Sequence, residues 1–114
     1  FTVCPWWDGP ESCRQIPPLF ERDKPVRKER WVWVYHGPPS NSPTCWDGRK
    51  HFGDDELLGW IEQYRPDMVL TGHIHQSPFK NDGSWVDRIG NTWVFNAGRQ
   101  PGPAPCHVII NTEA

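Results

Sequence analysis

Three histidines stand where a metal ion could be held. His36 follows the run Trp31-Val32-Trp33-Val34-Tyr35, and His73 and His75 flank Ile74 directly after Gly72. A neutral imidazole offers one ring-nitrogen lone pair and is the commonest protein ligand for transition metals. Residues two apart in an extended chain point to the same side, so His73 and His75 are expected to aim at one point. A glycine ahead of them is expected to let the backbone approach closely. Three converging imidazoles suit zinc, iron, nickel or copper. Each piece has an ordinary alternative: a single histidine at a strand end is usually a hydrogen-bonded loop residue, and H-x-H pairs also arise by chance. The two together, each after a buried run, favour ligation. His51 lies in a polar loop, and His107 opens an apolar run where a structural role is expected.

The elements that must position these residues follow from pattern. Trp31–Tyr35 is unbroken aromatic and β-branched sequence, which predicts an interior strand covered on both faces and ending at His36. Phe1–Val3 predicts the tail of a strand, and Cys4–Pro10 a loop. Residues 21–30 mix both charge signs around a proline and predict a solvated connector. Asp54–Tyr64 predicts the clearest helix: Asp54 caps it, Asp55 and Glu56 suit its N-terminal dipole, and Leu57, Leu58, Ile61 and Tyr64 share a face. Pro66 closes it. Met68–Thr71 predicts a short strand ending at the H-x-H pair. A hairpin is expected from Trp85–Ile89 and Thr92–Phe95 around Gly90-Asn91, and a last strand over His107–Ile110. This order predicts an α/β layered fold with a mixed sheet, in which ligands gather at the carboxyl ends of strands.

Leu70-Thr71-Gly72-His73-Ile74-His75 resembles the G-H-x-H block of calcineurin-like metallophosphoesterases. Val34-Tyr35-His36 resembles the single-His block that precedes it, and Phe95-Asn96-Ala97-Gly98 is similar to the segment that follows. The three occur in the family's order and span Trp31 to Gly98. The resemblance implies a layered sandwich of mixed β-sheets flanked by helices, with residues 1–114 forming the C-terminal portion of one domain. It implies two divalent metal ions of the Mn, Fe or Zn type that hydrolyse phosphoesters, as a phosphatase or phosphodiesterase. His36 and His73 would bind one ion and His75 the other. The family's Asp-x-His, Gly-Asp-x-x-Asp and Gly-Asn-His blocks, with the bridging carboxylate and the catalytic histidine, are not in this sequence. Gly53-Asp54-Asp55 has the wrong spacing to replace them. The expected partners are a phosphoester substrate and the N-terminal half of the same domain, without which the chain is expected to be inactive. Arg99 can reach a substrate phosphate, the alternative being a surface ion pair. Asn96 can orient a ligand histidine from behind.

Composition bounds the rest. The 114 residues suffice for one small domain, and the chain opens on Phe1 rather than Met, as a processed or partial sequence would. Twelve Lys and Arg against 14 Asp and Glu give a formal charge of −2, so nothing suggests nucleic-acid binding by a basic surface. No run is apolar for the length of a bilayer crossing. Four cysteines without a C-x-x-C pair read as reduced thiols in a cytoplasmic protein rather than as two disulfides. Eight Trp, 13 Pro and a mean hydropathy of −0.73 predict long polar loops between a few buried strands. Two other classes compete. One is a mononuclear metal site in a cupin-like barrel, which the helix at 55–64 fits badly. The other is a non-enzymatic Trp-rich binding module, which needs exposed aromatics, whereas Trp31, Trp33 and Trp93 sit in runs expected to be buried.

Overall fold

The computed structural model describes residues 1–113. Five strands form one sheet: β1 (Thr2–Val3), β2 (Val32–Val34), β3 (Met68–Thr71), β4 (Val86–Ile89) and β5 (Thr92–Asn96), in the order β1-β2-β3-β5-β4. The first four positions in that order run parallel, and β4 closes the hairpin antiparallel to β5. The fold is therefore α/β with a mixed, open sheet whose edges are β1 and β4. A closed barrel would have no such edges.

Alternation along the strands sorts their side chains into two faces. Thr2, Trp33, Val69 and Val94 stand in register across four strands, and all four are fully buried. Helices cover this face: α1 (Pro10–Cys13), α2 (Ile16–Asp23) and α3 (Asp55–Tyr64). Phe20 of α2 lies flat on Trp33, with ring centroids 3.8 Å apart, and Leu57, Trp60, Ile61 and Tyr64 of α3 complete the core. On the opposite face Val34, Leu70 and Phe95 are only half-buried, and Val3 and Trp93 are exposed. Trp93 was expected in the core. Its neighbour Val94 takes the helix-covered face, so period-2 alternation turns Trp93 outward.

The helix α3 forms as its sequence requires. Asp54 Oδ1 accepts a hydrogen bond from Leu57 N (2.9 Å), which satisfies an N-terminal amide, and Arg65 ends the helix in the left-handed region ahead of Pro66. The inward stripe includes Trp60, whereas Leu58 is only half-buried. The helix α2 overlaps the expected connector at residues 21–23. Pro17 and Pro18 fall in its first turn, where a missing N–H costs nothing, and Ile16 and Phe20 then share one buried face. Asp23 ties α2 to the sheet, accepting from Thr2 Oγ1 (2.7 Å) and pairing with Arg22 (2.7 Å). The Arg22 hydrogen bond, then that of Thr2, holds the Asp23 carboxyl down at about 2.

The expected strand over His107–Ile110 does not form. That segment follows Pro101, Pro103 and Pro105 and borders the outer face of the sheet beside Met68, Trp93 and Phe95 without joining either edge. The four cysteines are free, with Cys4 and Cys45 buried, and burial lifts the Cys4 thiol to about 12. Among the described residues no helix is long and apolar enough to cross a membrane.

Candidate metal site

The ends of β2 and β3 are bound to each other beyond their ladder. Tyr35 N donates to Leu70 O (2.9 Å), and Gly72 N donates to His36 O (3.0 Å). This brings the two histidine-bearing turns together at the carboxyl end of the sheet. His36 Nε2 and His73 Nδ1 are 2.9 Å apart, in hydrogen-bond contact, with ring centroids 4.6 Å apart. One nitrogen donates and the other accepts, according to tautomer. The edge of Trp6 meets the His36 ring at 4.2 Å between centroids. Partial burial, then the neighbouring His73, pushes the His36 pKa below its ordinary 6.5. Both effects favour the neutral ring that a metal requires.

The geometry of the H-x-H pair differs from the expectation. His73 has φ +64°, in the left-handed region, and Ile74 N donates back to Gly72 O (2.7 Å), so the backbone here is a tight turn rather than a strand. Alternation consequently does not apply. Ile74 is buried while His73 and His75 are exposed on either side of it. His73 borders two clefts, one shared with His36 and the other with His75, Arg99 and Cys106. The close approach expected at Gly72 occurs instead at Gly98. A Cβ at Gly72 would stand an ordinary 3.9 Å from His36 O, whereas one at Gly98 (φ +66°) would stand 2.7 Å from His75 O.

Asn96 carries the turn from beneath. It is fully buried; its Nδ2 donates to Ile74 O and to Thr44 O (2.9 Å each), and its Oδ1 accepts from Gly98 N (2.9 Å). It therefore holds the backbone between the two histidines. Arg99 N donates to His75 O (2.9 Å), which fixes its backbone at the mouth, and its side chain is exposed.

Two donors fit one ion closely. Nitrogens sharing a tetrahedral zinc-like ion stand about 3.3 Å apart, given bonds of about 2.0–2.1 Å, so the pair at 2.9 Å needs to open by only a few tenths of an ångström. Ligation also requires giving up their mutual hydrogen bond. Among the described residues, no group of three His, Cys, Asp or Glu side chains is gathered tightly enough to hold a metal ion.

Sequence reasoning passed over the aromatic and acidic neighbours of this pair. Trp7 Nε1 donates to the Tyr35 hydroxyl, which donates to Asp54 Oδ2 (2.7 Å), so the cap of α3, the end of β2 and the loop carrying Trp6 form one chain of contacts. Burial pushes the Tyr35 phenol well above its ordinary value. The available signal was Tyr35 itself, a hydroxyl in an otherwise apolar run that needs a buried partner.

No family model matches the chain, and no curated protein matches it. One crystal structure matches in fold, with a TM-score of 0.61 at 20% identity over 75% of this chain. The chain spans about a third of that structure (31%), and at this identity the likeness extends to the fold alone.

Proposed function

We propose that this chain is the metal-binding C-terminal portion of a calcineurin-like phosphoesterase domain, a metal-dependent hydrolase of phosphate esters. The observation that carries the reading is the His36–His73 contact of 2.9 Å at the carboxyl ends of two adjacent parallel strands. In open α/β sheets that is where ligands bind. When bound, divalent ions of the Mn, Fe or Zn type supply positive charge that polarises a phosphoryl oxygen and acidify the attacking water. His36 and His73 offer neutral lone pairs to one ion, and His75 faces a second position across the turn. Asn96 keeps Ile74 in place so that the two imidazoles stay on opposite sides of it. Arg99, at the mouth with His75, is suited to pair with a phosphate oxygen.

Three imidazoles carry no charge to offset two cations, and among the described residues no carboxylate is gathered with them into a metal-holding group, so in this reading the rest of the domain supplies the carboxylate ligands. The half-covered outer face of the sheet, with Val3 and Trp93 exposed, is where a second layer of a complete sandwich would pack. Four free thiols suit a reducing, cytoplasmic setting.

Calorimetric titration of the chain with zinc or manganese tests the reading. One equivalent should bind, His36→Ala or His73→Ala should lower affinity by about tenfold or more, and His75→Ala should change it little. No binding by the wild type, or binding indifferent to His36 and His73, would sink the assignment.

A further inference from the structure

Beside His36 a cleft of about 540 Å³ runs to the N-terminus of α3. Its walls include Trp6, Trp7 and Phe52, and its lining carries Asp8, Asp55 and Glu56 but no Lys or Arg. Trp6 is 61% exposed and Phe52 44% exposed, so each ring keeps surface open to solvent although the edge of Trp6 meets His36 and Lys50 lies over Phe52. The wall is held in place from behind, because Trp7 Nε1 is bonded to Tyr35, which is bonded to Asp54. Asp54 is consumed by that bond and by the cap of α3, and Asp55 accepts a hydrogen bond from Ser40 Oγ. The helix dipole offsets roughly half a unit of the negative charge gathered here.

These groups discriminate between occupants. At the α3 end of the cleft, away from His36 and His73, the carboxylates have no Lys or Arg among them and repel an anion. A neutral apolar group would cover the rings but strip water from the carboxylates with nothing in return. An organic cation satisfies both, since aromatic faces attract ammonium groups and carboxylates pair with them. One wall residue already carries such a group, because Lys50 Nζ, from outside the cleft lining, sits 4.3 Å from the Phe52 ring centroid.

We propose that this cleft binds an organic ammonium group, and that the substrate is a phosphoester of an amino alcohol. The phosphate lies at the histidines and the cationic arm runs past His36 between the rings. The substrate assignment rests on the phosphoester reading above; the cation site does not, and it can be measured without turnover.

The test is titration of the metal-free 114-residue chain with choline and with 3,3-dimethylbutan-1-ol, its uncharged isostere. Binding is followed by the NMR signals of the Trp6 and Trp7 indole N–H groups. Choline should shift both and bind about tenfold tighter than the isostere. Asp8→Asn with Glu56→Gln should bring the two ligands close to parity, and Trp6→Ala should weaken choline about tenfold. Equal affinity for choline and isostere in the wild type would overturn the proposal in favour of a plain apolar pocket. No shift with either ligand would remove the site altogether. Zinc titration of the same variants separates the two readings: choline binding without metal binding sinks the hydrolase assignment and leaves the cation site, and the reverse outcome does the opposite.

Discussion

His36 and His73 spend on each other the lone pair and proton that a metal or a solvent proton would take. Burial and the neighbouring ring depress the His36 pKa below 6.5. The unfolded chain therefore binds a proton at this site before the native one does. Stability should fall as the pH drops through the interval below 6.5, and the site should make no such demand above it. An NMR titration should find the His36 midpoint below the ordinary 6.5; a midpoint at or above it contradicts the depression. Asn96 should matter more to stability than any exposed histidine. Asn96→Ala leaves Ile74 O and Thr44 O without their shared donor, and a buried unsatisfied group costs about 1–3 kcal/mol. Urea midpoints and metal affinity should fall together, and unchanged metal affinity in a folded variant would deny Asn96 its positioning role. Histidine types and spacing were legible here. The left-handed turn at His73 was not, because the next residue, Ile74, is held through its carbonyl by Asn96, 22 positions further along the chain.

At the scale of elements, α3 announced itself through cap, dipole charges and apolar stripe, and the hairpin through its Gly90 turn with φ +59°. The helix α2 did not, because its last residues fall in the mixed-charge stretch read as a connector, and its start depends on two prolines that only a first helical turn accommodates. The tail at 107–110 misled in the other direction: β-branched residues predict a strand only where an edge is within reach. Asp54 joins two elements, capping α3 and receiving the Tyr35 hydroxyl of the β2 end. Asp54→Ala should cost about 1 kcal/mol for the cap alone and more for the stranded phenol. Tyr35→Phe in the same background should recover little of the loss, since it removes the O–H that lost its acceptor but also takes the acceptor from Trp7 Nε1. Additive losses in thermal unfolding would show that the two groups act independently.

For the whole molecule, the decisive asymmetry is between the two faces of one sheet. Trp33, Val69 and Val94 are sealed under helices, while Val3 and Trp93 lie open and Val34, Leu70 and Phe95 half-open. Such a surface in water favours self-association. The chain alone should sediment as a concentration-dependent mixture, and Trp93→Lys should shift it towards monomer. It should also fail to hydrolyse bis(4-nitrophenyl) phosphate with manganese or zinc present, because among the described residues no group of three His, Cys, Asp or Glu side chains is gathered to hold a metal ion. Metal-dependent turnover by the chain would refute that, and a monodisperse monomer at all concentrations would show the outer face to be adequately covered.

The indole of Trp33 is fully buried beneath the flat ring of Phe20, and its Nε1–H is the one buried side-chain polar atom among the described residues without a hydrogen-bond partner. An indole in so dry a setting emits at short wavelength, whereas the exposed Trp6, Trp85 and Trp93 emit at long wavelength. The chain thus contains its own two-colour thermometer. Trp31 and Trp60, also buried, share the blue component, so its loss on warming would report the opening of the helix-covered core, while the red component continued to report the surface.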